Sequence, residues 1–200
     1  MNVLLLGGSP SSPSSSWRLL QLVGARLAAL GHHIVALQVR DLSALALLRG
    51  DIDDPAIAVA AAMVAEAEAL VIGTPVYKAA YSGLLKTFLD LLPQDGLAGK
   101  IVLPLATGGS QSHMLALDYA LRPVLASLSP RHILPSIYAT SDQLPWHPEH
   151  GLHPAASIAE RIDAGVEQLE HALHALQTLQ VLPRKPAVID SRSAPAALAA

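Results

Sequence analysis

The stretch Val3-Leu4-Leu5-Leu6-Gly7-Gly8-Ser9-Pro10 leads into Ser11, Ser12, Ser14, Ser15 and Ser16, and then into an amphipathic segment from Trp17 to Leu30. A buried strand, a tight loop dense in small hydroxyl residues and a helix start together make an anion cradle. The free N–H groups of a helix's first turn and the positive end of its dipole face such a loop, and hydroxyls add donors without adding charge. The loop lacks G-x-x-x-x-G-K-S/T, so a nucleoside triphosphate held with Lys and magnesium is not expected. It also lacks G-x-G-x-x-G, and the next strand, His33 to Val39, does not end in an acidic ribose ligand. A hydroxyl-lined loop of this kind suits a single terminal phosphate, as on a mononucleotide such as FMN.

Outward from this unit, apolar runs and amphipathic stretches alternate along the chain. Strands are expected at Asn2–Leu6, Ile34–Val39, Ala69–Gly73, Ile101–Leu105 and His132–Tyr138. Helices are expected at Ser15–Leu30, Pro55–Ala67, Ser82–Leu92, Ser112–Leu128 and Pro154–Leu179. Runs such as Val3 to Leu6 and Leu70-Val71-Ile72 are apolar throughout, as strands covered on both faces should be. The expected architecture is α/β: a five-stranded parallel sheet of order 2-1-3-4-5 with helices on both faces. This is the flavodoxin-like arrangement, with its ligand at the carboxyl ends of strands 1, 3 and 4. Residues 1–180 read as one domain, residues 141–154 as a loop rich in Pro, His and Gly, and residues 181–200 as a flexible tail.

Composition narrows the chemistry. A hydrophobic content of 52% over 200 residues suits one large core, with surplus for partner contacts. A net charge of −3 without a basic run argues against nucleic acid, and no stretch has the length of a membrane span. Zero cysteines exclude disulfides, thiolate nucleophiles and iron–sulfur clusters, so redox chemistry must ride on an organic cofactor. With no basic segment ahead of the first strand, a cytoplasmic protein is expected.

Two further loops should join the serine loop at the same sheet edge. Thr74-Pro75-Val76-Tyr77-Lys78-Ala79-Ala80-Tyr81-Ser82-Gly83 sets a rigid Pro and an aromatic after a strand; Ala106-Thr107-Gly108-Gly109-Ser110 carries paired glycines that permit close backbone approach. For a flat ring with a polar edge, Pro75, Val76 and Tyr77 are expected along one side. The N–H groups from Thr107 to Ser110, Gly108 and Gly109 included, are expected at its carbonyl edge.

At these residues the chain resembles a known family. Gly8-Ser9-Pro10 with Ser14 to Ser16, the run from Thr74 to Lys86, Leu103-Pro104-Leu105-Ala106-Thr107-Gly108-Gly109, and Asp118-Tyr119-Ala120-Leu121-Arg122-Pro123-Val124-Leu125 look like the NADPH-dependent FMN reductases. The last two blocks are similar to the reductases of alkanesulfonate-utilisation systems. The resemblance implies a homotetramer that takes FMN and NADPH, or NADH, and supplies reduced FMN to an FMNH2-dependent monooxygenase. Relatives often carry an arginine in the phosphate loop, where this chain has Ser11 and Ser12; Arg18, in the first helical turn, is the expected substitute.

Hydride transfer from a nicotinamide to a flavin needs no protein acid or base at the reacting carbon, so none is nominated. Binding is assigned to Ser9, Ser14, Ser15, Ser16, Pro75, Val76, Tyr77, Thr107, Gly108 and Gly109. The helix expected at 112–128 contains a contradiction. Pro123 lacks an N–H, and its ring collides with the carbonyl of Tyr119, so a kink or wide turn is expected there. The resemblance places Tyr119 in such a turn at a subunit interface near the flavin. Surplus apolar residues on this helix and on 82–92 point to subunit contacts.

Other features read as ordinary surface. His147, His150 and His153, with Glu149, lack i, i+4 helical geometry and read as a solvated loop, so no metal is expected. Lys86 and Asp90 form a surface pair. An FMN-retaining quinone or azo reductase, and a non-catalytic electron carrier of flavodoxin type, stand as alternatives.

Overall fold

Strand β1 (Asn2–Gly7) sits inside the sheet because its side chains are apolar on both faces. Leu4 and Leu6 pack into one core with Leu70, Ile72 and Val102, while Val3 and Leu5 pack into the other with Ala69, Val71 and Leu103. The structure, a computed structural model, describes residues 1–181. The tail expected over 181–200 therefore lies, from residue 182, outside the described residues.

The other strands are β2 (His33–Gln38), β3 (Ala69–Tyr77), β4 (Ala80–Tyr81), β5 (Ile101–Gly108), β6 (His132–Ile133), β7 (Ile137–Thr140), β8 (Trp146–His147) and β9 (Gly151–Leu152). The helices are α1 (Ser15–Ala29), α2 (Ala44–Arg49), α3 (Pro55–Glu66), α4 (Gly83–Leu89), α5 (Arg122–Ser127) and α6 (Ala156–Val181). The order is β2-β1-β3-β5, with β6 and β7 both on the outer edge of β5, and these pairings are parallel. Helices α1 and α6 cover one face, and α2 to α5 the other. No helix among the described residues is long and apolar enough to cross a membrane.

The order is the expected one, but the main sheet has seven strands rather than five. Two local causes account for the extra pieces. The last strand breaks at Leu134-Pro135-Ser136, where Pro135 has no N–H to give the ladder. There the Arg122 guanidinium fills in, donating to the carbonyls of Ile133 (3.1 Å) and Leu134 (3.0 Å). Strand β3 runs past Gly73 to Tyr77 and turns back antiparallel into β4, pairing Val76 with Tyr81 and Tyr77 with Ala80. The connecting Lys78 and Ala79 both have positive φ, 49° and 63°. That is the hand a two-residue hairpin turn needs, at an energetic cost for residues with a Cβ.

Helix α2 lay outside the expectation, although Ser43 caps its start (Ala46 N–H to Oγ, 3.2 Å) and Gly50 closes it at φ 68°. The segment expected as one helix over 112–128 is a 3₁₀ turn at Gln111–His113, a π turn at Leu117–Leu121 and then α5. Arg122 N–H reaches back five residues to Leu117, and Pro123 falls in the first turn of α5, where its missing N–H is not needed.

At the opposite edge from the ligand loops, the Glu170 carboxylate on α6 is gripped by His32 and by His174, the latter at 2.7 Å. Burial alone would raise its pKa, but the hydrogen bonds and charges of the two imidazoles override burial and hold it below its ordinary 4.5. A carboxyl depressed by folding contributes stability above its unfolded pKa and loses it as the pH falls through its folded value. Glu170→Gln should therefore be less stable than the parent near neutrality by about 1 kcal/mol. The gap should shrink as the pH drops below 4.5, as urea denaturation at the two pH values will show.

Candidate functional site

The carboxyl ends of β1, β3, β5 and β7 lie along one edge, and the loops leaving them enclose an open cleft of about 250 Å³. Its walls are Ser9, Ser11, Pro13, Ser14, Ser15, Pro75, Val76, Tyr77, Thr107, Gly108, Gly109 and Ser141. Nine of the ten residues assigned to binding from the sequence are among them. The tenth, Ser16, is buried behind the loop with its hydroxyl 3.0 Å from that of Ser14.

The serine loop is built around the start of α1. Ser14 is the N-cap: its hydroxyl accepts the Trp17 N–H at 3.2 Å and its carbonyl the Arg18 N–H at 3.0 Å. Among the described residues this leaves the N–H groups of Ser15 and Ser16 without partners, at the positive end of the helix dipole. Two free N–H groups flanked by hydroxyls are the donor set for a phosphate. Ser9 helps hold the loop, accepting the Ser11 N–H at 3.2 Å.

A hydrogen-bond relay ties this loop to the second. Thr74 and Ser82 are buried; Ser82 N–H donates to Thr74 Oγ1 at 3.1 Å. Ser82 Oγ caps α4 by accepting the Leu85 N–H at 3.1 Å and donates to the Gly8 carbonyl. The Gly8 N–H in turn reaches Gly73 at 2.8 Å, and a Cβ at Gly8 would stand 2.6 Å from that of Leu85, so no larger residue lets the two loops approach this closely. Beyond the relay, Val76 is buried, whereas Tyr77 is half exposed along the cleft with its hydroxyl 3.4 Å from Ser11 Oγ.

The third loop leans on Tyr138 of β7. This buried phenol donates to the Ser110 carbonyl at 2.6 Å. Burial pushes its pKa up, so it remains a protonated donor. Gly108 packs directly on it: a Cβ there would lie 2.4 Å from the Tyr138 oxygen.

The cations are arranged differently from expectation. Arg18 is not turned to the loop; its guanidinium lies 3.9 Å from the centre of the Trp146 ring. Arg40, just past β2, is the residue that donates to the loop, at the Ser11 carbonyl. Sequence reasoning missed Arg40, Ser141 and the Thr74–Ser82 relay. Only the Ser82-Gly83 helix start offered a signal, as an N-cap.

Tyr119 does not reach the cleft. It is 78% exposed on the π turn and lines a neighbouring cavity of about 230 Å³ with Ala79, His113, Leu115 and Ala116. Ala79 belongs to the strained β3–β4 turn, which directly follows Tyr77 of the cleft wall.

Comparison with known proteins identifies the family of the chain. The family described as NADPH-dependent FMN reductase matches residues 1–144. The chain is similar to an FMN reductase (NADPH) of Pseudomonas putida, 45% identical over 188 residues, covering 93% of this chain and 90% of that one. An FMN reductase (NADPH) of Escherichia coli is 41% identical over 175 residues, covering 87% and 91%. Among solved structures, an NADH:FMN oxidoreductase in its apo form superposes with a TM-score of 0.78 at 36% identity, covering 92% and 91%.

Proposed function

The chain belongs to the NADPH-dependent FMN reductase family and is an NAD(P)H-dependent oxidoreductase acting with FMN; from that premise we propose how its residues serve the reaction and where the product goes. Bound FMN supplies the ring that takes up hydride from the reduced nicotinamide. The chain's own task is to hold, orient and release it. The phosphate sits on the free N–H groups of Ser15 and Ser16, with the hydroxyls of Ser9, Ser14 and Ser15 around it and Ser16 bracing Ser14. Pro75, Val76 and Tyr77 form one wall for the ring. Thr107, Gly108 and Gly109 present backbone to its carbonyl edge, where negative charge develops. No side chain acts as acid or base. The observation that carries this reading is the convergence of nine residues, from three separate loops, on one cleft.

In the same proposal FMN is released after reduction and feeds an FMNH2-dependent monooxygenase acting on sulfonates, in the cytoplasm. The resemblance of the blocks around Gly108 and Tyr119 supports the partner. The enzyme works as a homotetramer, supported by the exposed Met114, Leu115 and Tyr119 around the π turn. Steady-state oxidation of NADPH by flavin-free protein against added FMN tests the reading, with NADH and FAD in parallel. Saturable FMN-dependent turnover is expected. FMN binding without turnover would overturn it, and FMN retained through purification with fast quinone reduction would favour a quinone or azo reductase instead.

Two variants probe the assignments. Arg40→Met should weaken FMN binding about threefold by loosening the loop and removing a nearby positive charge. Riboflavin, which lacks the phosphate, should bind as before; quenching of flavin fluorescence reads both. Tyr119→Ala should alter FMN retention and slow delivery to the monooxygenase several-fold, since release steps often set such rates. Unchanged retention and delivery would remove Tyr119 from the transfer route.

A further inference from the structure

We propose that the turn joining β8 and β9 binds a divalent transition-metal ion of the zinc type through His147, Glu149 and His150. The spacing of these residues lacks the i, i+4 geometry of a helical metal site, but the segment is not an irregular loop. The structure makes it a hairpin: Trp146 pairs with Leu152 and His147 with Gly151, leaving Pro148, Glu149 and His150 as the turn. Gly151, at φ 78°, closes it. Folding the chain back in this way sets one ligand atom from each of the three side chains within 4.8 Å of the others. The rings of His147 and His150 lie side by side, centroids 5.2 Å apart and 20° from parallel. His153 stands beyond His150, at 6.4 Å between centroids.

Two imidazoles and a carboxylate are the donor set of three-ligand zinc sites, with the remaining position left to water. The same set follows the usual divalent order, with copper(II) the tighter ion. A tetrahedral ion with ligands at about 2.1 Å holds its donors roughly 3.4 Å apart. The three side chains that must close from 4.8 Å are all exposed and free of core packing. The backbone beneath them is pinned. His153 N–H donates to Pro145 and Ala155 N–H to Gln143, both at 2.9 Å, and Trp146 is stacked against Arg18. A fixed mount lowers the ordering cost of binding.

The same pinning links the turn to the cleft: Arg18 lies in the first turn of α1, and Ser141, at the start of this segment, lines the cleft wall. It also provides a readout that does not depend on turnover. Trp146, adjacent to His147, is positioned to report a paramagnetic ion.

Untagged protein titrated with Zn²⁺ in a calorimeter, and with Cu²⁺ by quenching of tryptophan emission, tests the proposal. One ion per chain is expected. His147→Ala and His150→Ala should each weaken binding at least about tenfold without lowering the melting temperature, because both side chains are exposed. Glu170→Gln, which disrupts the separate His32–Glu170–His174 cluster, should bind as the parent does. Absence of binding, or equal binding by the parent and both histidine variants, would overturn the assignment.

Discussion

Ser82→Ala is expected to lower folding stability by about 2–4 kcal/mol and to raise the FMN concentration for half-maximal turnover about tenfold. Its hydroxyl does two things at once in a fully buried place. It caps α4 by accepting the Leu85 N–H, and it satisfies the Gly8 carbonyl. Loss of a helix cap costs about 1 kcal/mol. A buried carbonyl left without a donor costs about 1–3 kcal/mol more. The functional effect follows from location, since Gly8 leads into Ser9 and the phosphate loop. Urea denaturation of parent and variant, with unchanged slope, measures the first effect, and steady-state kinetics the second. Ser110→Ala is the control, because its hydroxyl bonds only within an exposed turn, accepting the Ser112 N–H at 3.3 Å and donating to the Ser112 hydroxyl at 3.2 Å. Equal stability and FMN dependence for Ser82→Ala and the parent would show that water replaces the relay.

Gly108→Ala is expected to reduce FMN-dependent turnover by about a hundredfold, the scale associated with misplacing a binding element by an ångström. The added methyl would stand 2.4 Å from the Tyr138 oxygen, far inside contact distance. Either the phenol moves, giving up its 2.6 Å bond to Ser110, or the loop moves into the cleft. Overpacking of this kind costs about 1–3 kcal/mol. Tyr138→Phe supplies the decisive comparison. Removing the oxygen leaves ring carbons at 3.3 and 3.5 Å from the new methyl, a tight but tolerable contact. The double variant Gly108→Ala, Tyr138→Phe should therefore recover much of the lost turnover, while Tyr138→Phe alone should have a small effect. A double variant as impaired as Gly108→Ala would locate the problem in the loop backbone rather than in the clash.

Much of the architecture was readable because a doubly covered parallel sheet writes itself as continuous apolar runs. Val3 to Leu6 and Ala69 to Ile72 are buried on both faces, and no alternation confuses them with an edge strand. The two additions to the five-stranded plan were less legible. The extension of β3 and the return strand β4 turn on Lys78 and Ala79, which carry none of the Asn or Gly that marks such a turn in sequence. The last strand was expected unbroken over His132–Tyr138; it divides at Pro135 into two pieces that both pair with β5, and Arg122 of α5 donates to the carbonyls at the break. The wide turn at Tyr119 was legible because Pro123 forbids a regular helix there on local grounds alone.

The site divides in the same way. The hydroxyl loop, the rigid Pro75 with Tyr77, and the paired glycines are local features, and their placement at one edge follows from strand order. Which groups brace them is a long-range matter. Arg40 meets Ser11 from 29 residues away, Ser82 meets Gly8 across 74, and Tyr138 meets Ser110 across 28. Arg18 lies nearest the phosphate loop in sequence, yet the Trp146 ring offers it a stacking face, leaving Arg40, in the turn just past β2, to reach the loop. Local propensities, steric rules and apolar periodicity act within a few residues, and so the fold class, the three loops and the wide turn stood in the sequence alone. The partner of a side chain depends on what the folded sheet brings within a few ångströms of it, and so the relay, the cation and the histidine turn came only with the tertiary structure.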